Sequence, residues 1–183
     1  MMSIEELLDR SAITEALYRY AQGVDRRDWD QVRASYHEDS HDDHGPYKGG
    51  VDGLIEWISG RHEDIAQSMH FIGNIVIDLD GDRAHSDSYC MVFQRLREDA
   101  DAPPALFEGA DQDEEGSGAP TIEILCRYVD EFERRDGEWR ISDRVVVFEW
   151  MRATVRDEVS LIGPDWAVAT RDRNDPLYAR LRQ

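Results

Sequence analysis

The stretch Met69-His70-Phe71-Ile72-Gly73-Asn74-Ile75-Val76-Ile77-Asp78-Leu79 constrains this chain more than any other. It is rich in β-branched residues, contains no Lys or Arg, and runs into the turn signal Asp80-Gly81. So apolar a strand must be covered on at least one face. The residues after it supply further strands. Residues 84–96 alternate, with His85, Asp87, Tyr89, Met91 and Phe93 on one face. Residues 121–133 place Ile122, Ile124, Cys126, Tyr128 and Phe132 together. Arg135-Asp136-Gly137 then turns the chain into a return strand over 138–151, centred on Val145-Val146-Val147-Phe148. The spacing predicts a long antiparallel meander.

The cover comes from the N-terminal third. Ser3 and Glu6 form a capping box, and Leu7, Leu8, Ile13, Leu17, Tyr20 and Val24 recur at helical spacing. A helix over about 4–23 follows, with Gly23 as its stop signal and Asp25 just beyond. Asp28 caps a short second helix carrying Trp29, Val32 and Tyr36. Asp52 caps a third, with Leu54, Ile55, Trp57 and Ile58 on its apolar stripe. Helices segregated on one face of a curved antiparallel sheet make an α+β fold, and a cone-shaped sheet closed by helices encloses a hollow.

At 183 residues the chain fits one domain with a proper core. A net charge of −19 argues against nucleic acid or an anionic membrane as partner. No apolar run reaches the length of a transmembrane helix, and the first residues lack the basic flank and apolar core of a signal peptide. Cys90 and Cys126 read as free thiols, and a cytoplasmic location is expected. Part of the charge is local. Residues 98–119 hold eight acidic residues and no Lys or Arg, with Pro103-Pro104 and Gly116-Ser117-Gly118. This composition predicts a loop insertion between strands, either solvated or acting as a lid. The domain is expected to span 1–152, with 153–183 a tail packing on it or on a neighbouring subunit.

His37-Glu38-Asp39-Ser40-His41 satisfies H-E-x-x-H literally, but zinc chemistry needs both histidines one turn apart on a helix. Asp39, Ser40 and the following Gly45-Pro46 point instead to a solvated turn leading into a short strand, so no metal site is expected. His70, at the start of its strand, is the stronger candidate. A half-buried imidazole can accept and return a proton near neutral pH. Arg144, just before the apolar run of the last strand, is a surface end or a buried charge that needs an anion.

Several stretches together resemble one family. They are Tyr20-Ala21-Gln22-Gly23-Val24-Asp25-Arg26-Arg27-Asp28-Trp29, then Met69-His70-Phe71-Ile72-Gly73-Asn74, then Gly81-Asp82-Arg83-Ala84. Cys126-Arg127-Tyr128-Val129-Asp130 and Phe132-Glu133-Arg134-Arg135-Asp136-Gly137-Glu138-Trp139-Arg140-Ile141 complete the set. They resemble the SnoaL-like branch of the nuclear transport factor 2-like superfamily over about residues 3–152. Asp25 and His70 match active-site positions of scytalone dehydratase. Asp25, His70 and Arg144 match those of hexachlorocyclohexane dehydrochlorinase, which has Lys at the position of Tyr20. Tyr20 matches a tyrosine of bile acid 7α-dehydratase. Phe93 falls where scytalone dehydratase has a second histidine.

The resemblance implies a small-molecule lyase or isomerase, dehydratase-like, that abstracts a proton from an apolar cyclic or aromatic-type substrate without a cofactor. Asp25 would fix the tautomer of His70, and Arg144 would stabilise the enolate or departing anion. Tyr20 would donate a hydrogen bond to the same oxygen. Tyr128, Phe93, Tyr89 and Trp29 are the candidate substrate-binding residues. The alternative is a non-catalytic binding or assembly protein, such as a scaffold like the β subunit of a ring-hydroxylating dioxygenase. Both readings predict a homo-oligomer, a dimer or trimer.

Overall fold

A computed structural model of the chain describes residues 2–100, 119–154 and 162–180. Most of the acidic insertion, 101–118, lies outside these. Helix α1 (Ile4–Arg26) opens with the Ser3/Glu6 capping box and ends at Arg27, which adopts the left-handed conformation. The predicted stop at Gly23 is corrected, since the helix runs a further turn and Asp25 sits inside it. Gly23 has another role. A Cβ at Gly23 would stand 2.9 Å from Val32 Cγ2 and 3.1 Å from Asp28 O, so the missing side chain lets α2 (Trp29–Ala34) lie close against α1. Asp28 caps α2 through Gln31 N–H. Helix α3 (Val51–Arg61) has Gly50 rather than Asp52 at its cap, and Asp52 pairs with Arg33 of α2.

Six strands form one sheet in the order β2-β1-β6-β5-β4-β3. Their ranges are β1 (Tyr36–Asp43), β2 (Lys48–Gly49), β3 (Ile65–Asp80), β4 (Arg83–Leu96), β5 (Thr121–Arg135) and β6 (Glu138–Thr154). The predicted meander is β3 to β6, antiparallel throughout. The solvated turn expected over 37–44 is corrected to strand β1, which pairs parallel with β6. His37 and His41 therefore share a strand, not a helix turn. His37 is buried against Glu133 O at 2.9 Å, and His41 is exposed.

The helices cover one face of the sheet. Ile13, Leu17, Tyr20, Val24, Leu54 and Ile58 pack there against Cys90, Val92, Cys126, Tyr128, Phe132 and Ile141. Burial of this many large apolar side chains, each contributing roughly 1.5–3 kcal/mol, is what holds helices to sheet. The other face remains apolar and open, with Met69, Phe71, Tyr89, Met91, Phe93 and Trp150 all exposed. A β-bulge between Gly73 and Val76 includes Asn74 at φ 49° and adds twist to β3.

Candidate active site

The last turn of α1 meets the beginning of β3, and there Asp25 meets His70. Asp25 Oδ1 accepts from His70 Nδ1 at 2.7 Å and from Ser68 Oγ at 2.8 Å, while Oδ2 accepts from the His70 backbone N–H at 2.8 Å. Both carboxylate oxygens are thus used, and the imidazole is fixed in orientation. Burial works against charge on either group. For Asp25 it is outweighed by the hydrogen bonds and charge of His70, and the carboxyl is held below its ordinary range. Burial likewise lowers the basicity of His70, but Asp25 reverses this and raises its pKa above 6.5. With Nδ1 taken, Nε2 is the nitrogen left for a substrate.

His70 lines a cavity of about 500 Å³ between the helices and the covered face of the sheet. Its walls are largely apolar, including Val24, Ile58, Val92, Ile124 and Val146. This volume and lining suit a small organic ligand. Tyr20 and Tyr128 also line it. Burial raises the pKa of both phenols, so each stays protonated and able to donate.

Arg144 stands behind these tyrosines. It is fully buried and makes two 2.7 Å hydrogen bonds to Asp130, with its guanidinium 4.3 Å from the Tyr20 ring centre and 4.1 Å from that of Tyr128. Burial opposes its charge, but Asp130 and the surrounding phenols hold the pKa well above the ordinary value. The expected direct contact of Arg144 with a departing anion is therefore corrected: Asp130 holds the guanidinium, and two rings screen it from the cavity.

Tyr89 and Phe93 point away from the cavity on the open face, 50 % and 44 % exposed. Strand alternation turns their neighbours Cys90, Val92 and Gln94 inward instead. Trp29 stands behind His62, ring centres 6.1 Å apart, and is not part of the wall. Cys90 and Cys126 are opposite each other on β4 and β5, both buried and free.

Two groups that sequence reasoning missed support the dyad. Arg171, from the tail, donates to the carbonyls of Asp25, Val24 and Ile65 at 2.9–3.0 Å and to His62 Nδ1 at 2.6 Å. Burial and neighbouring cations push His62 down to about 2, so this ring is a neutral acceptor at Nδ1. Ser68 is the other, with its hydroxyl on Asp25. A buried serine two residues before His70 on the same strand was the one readable signal. Among the described residues there is no cluster of three or more His, Cys, Asp or Glu suited to a metal ion. No helix among them is long and apolar enough to cross a membrane.

A curved, mixed sheet folded over N-terminal helices, with a hollow between, defines an α+β roll of the nuclear transport factor 2-like or cystatin-like kind. Residues 5–145 match the SnoaL-like domain family, and the chain belongs to it. An uncharacterised protein of Mycobacterium tuberculosis is 28 % identical over 151 residues, spanning 79 % of this chain and 88 % of the relative. Among solved structures, a hexachlorocyclohexane dehydrochlorinase of type 2 is similar in fold. Its TM-score is 0.68 at 18 % identity, over 89 % of this chain and 99 % of that one. A protein of Novosphingobium aromaticivorans assigned as a scytalone dehydratase scores 0.67 at 18 % identity, over 90 % and 97 %.

Proposed function

We propose that this protein is a small-molecule lyase or isomerase, dehydratase-like, in which His70 and Asp25 abstract a proton without a cofactor. The observation that carries the reading is the buried, fully hydrogen-bonded dyad opening through His70 onto an apolar cavity. His70 Nε2 takes a proton from carbon next to a carbonyl, and Asp25 stabilises the imidazolium that results. Tyr20 and Tyr128 donate to the enolate oxygen, an electrostatic aid that is strong in a dry site. Arg144 acts as a positioning residue, stacking against both rings and biasing their O–H groups. The substrate is an apolar, ring-sized molecule, in keeping with the cavity and with the names of the two similar structures. The apolar open face supports assembly as a dimer or trimer.

Deuterium uptake tests this directly. Cyclic ketones such as 1-tetralone are incubated in deuterated water and followed by NMR with wild type and His70→Gln. Wild type is expected to exchange the α protons, and the variant to lose about 10²–10⁴-fold in rate. Equal uptake by both would remove His70 as the base.

A further inference from the structure

The chain has two cysteines, and neither takes part in the proton transfer. They stand directly opposite each other, Cys90 on β4 and Cys126 on β5. Opposite residues of an antiparallel ladder have Cα atoms about 4.5 or 5.5 Å apart, and a disulfide accepts about 4.4–6.8 Å. Both side chains are on the covered face of the sheet and hydrogen-bond to each other. Backbone and side chains thus already hold the two sulfurs as a bridge requires. Cys126 is part of the cavity wall, so a small solute in the cavity reaches the pair. The residues are only 2 % and 4 % exposed, so a thiol of a second protein molecule does not.

The surroundings favour reaction at sulfur. The hydrogen bond from Cys126 lowers the Cys90 thiol below its usual range, and the charge of His70, the Tyr128 hydroxyl and the charge of Arg144 act the same way, against burial. The same bond, with burial, raises Cys126. When the pair is singly ionised the two sulfurs share the remaining proton, and the thiolate is the reactive form. Cys90 Sγ also lies 3.5 Å from the Tyr128 hydroxyl and donates to it as a thiol. The state of the pair is therefore felt at Tyr128, which lines the cavity, and at His70.

We propose that Cys90 and Cys126 form a dithiol site for small hydroperoxides, which convert the pair to a disulfide across β4 and β5 and so remove the sulfur partner of Tyr128. The thiolate of the pair attacks one oxygen of the hydroperoxide. An S–O bond forms as the O–O bond breaks, and the departing oxygen is protonated from solvent. The second sulfur then attacks the first. An S–S bond forms as the S–O bond breaks, and the oxygen leaves as water with the second thiol's proton. The two sulfurs together lose two electrons, and the hydroperoxide is reduced to water, or to an alcohol, plus that second water. The bridged form has no S–H to give Tyr128 and no thiolate beside His70. This site is independent of whether His70 acts as a base.

Mass spectrometry of the full chain tests it. Reduced protein, freed of reductant, is treated with hydrogen peroxide at neutral pH, and remaining thiols are alkylated with iodoacetamide in denaturant. A monomer without alkyl groups is expected, with a linked peptide joining Cys90 to Cys126, and dithiothreitol should restore both thiols. Without oxidant, the native chain should take up one phenylarsine oxide, which spans two close sulfurs, and be protected from bridging. In Cys126→Ser the bridge cannot close, and Cys90 should stop at the sulfenic acid, trapped by dimedone. The ring signals of His70 in wild-type NMR spectra should move on bridging and return with dithiothreitol. Two alkylated cysteines after peroxide, sulfinic acid without a bridge, or a disulfide between chains overturns the proposal. Ring signals that stay in place overturn the link to the cavity. None of these readouts uses turnover, so they fail or succeed separately from the assignment of His70 as base.

Discussion

Replacing Asp25 by Asn alters one atom and tests the dyad with little change in shape. The carboxylate accepts three hydrogen bonds, from Ser68 Oγ, His70 N and His70 Nδ1. An amide offers one acceptor oxygen and turns an N–H₂ donor toward one of these donors. Hydrogen bonds to buried charged groups contribute roughly 1.5–3 kcal/mol each, so a stability loss of about 2–4 kcal/mol is expected after local relaxation. The larger effect is on His70. Burial, the strongest influence on its pKa, lowers it, and Asp25, with a smaller contribution from Cys90, lifts it above 6.5. In Asp25→Asn the NMR titration midpoint of the His70 ring should therefore fall below 6.5. The acid limb of the exchange rate should move to lower pH with it, while the rate at its plateau drops about 10²–10⁴-fold because the tautomer is no longer held. At about 1.36 kcal/mol per decade this is roughly 2.7–5.4 kcal/mol of transition-state stabilisation. A midpoint that stays above 6.5, or a plateau within threefold of wild type, would refute the coupling. The pH dependence of stability has a definite sign. The depressed Asp25 contributes above 3.8, and this is lost as pH falls through its folded value. The raised His70 contributes below 6.5, and this is lost as pH rises through its folded value. The dyad therefore stabilises the fold most between 3.8 and 6.5.

Arg144→Met should destabilise by about 3–5 kcal/mol, because Asp130 is left as a buried, unpaired carboxylate. Replacing Asp130 by Leu in the same chain should recover much of this, as urea denaturation midpoints will show. Arg171→Ala strips the donor from three backbone carbonyls and from His62, and should cost about 2–4 kcal/mol. It should also slow ketone exchange. An identical denaturation midpoint would show that the tail is not clamped there.

What was legible in the sequence follows from pattern. The capping box set the start of α1, and alternation with turn residues set the β3 to β6 meander. His70 and Asp25 stood out because a titratable ring opened an apolar strand and a carboxylate closed an apolar helix face. Alternation could not say which face of β4 points inward. Both faces mix polar and apolar residues, and the bulkier Tyr89, Met91 and Phe93 lie outside while the smaller Ser88, Cys90 and Val92 face inward. Strand β1 was hidden for a different reason. Tyr36-His37-Glu38-Asp39-Ser40-His41-Asp42-Asp43 has no apolar periodicity, since its inward positions include polar residues: Asp42, satisfied locally by Tyr36 and His44, and His37, satisfied by the carbonyl of Glu133, 96 residues away. Arg171 binds backbone carbonyls, which are common to every residue and leave no trace in composition.

The tail arginine bears on how the molecule is built. Its contacts with the carbonyls of Asp25 and Val24 join positions 146 and 147 residues apart. Closing so long a loop carries an entropic cost that local helix and hairpin formation avoids. The sheet and its helices can be complete while the corner that orients the imidazole still lacks its last donor. Maturation of the proton-transferring corner is thus separable in time from folding of the body, and its arrival should register as a late kinetic phase that Arg171→Ala removes.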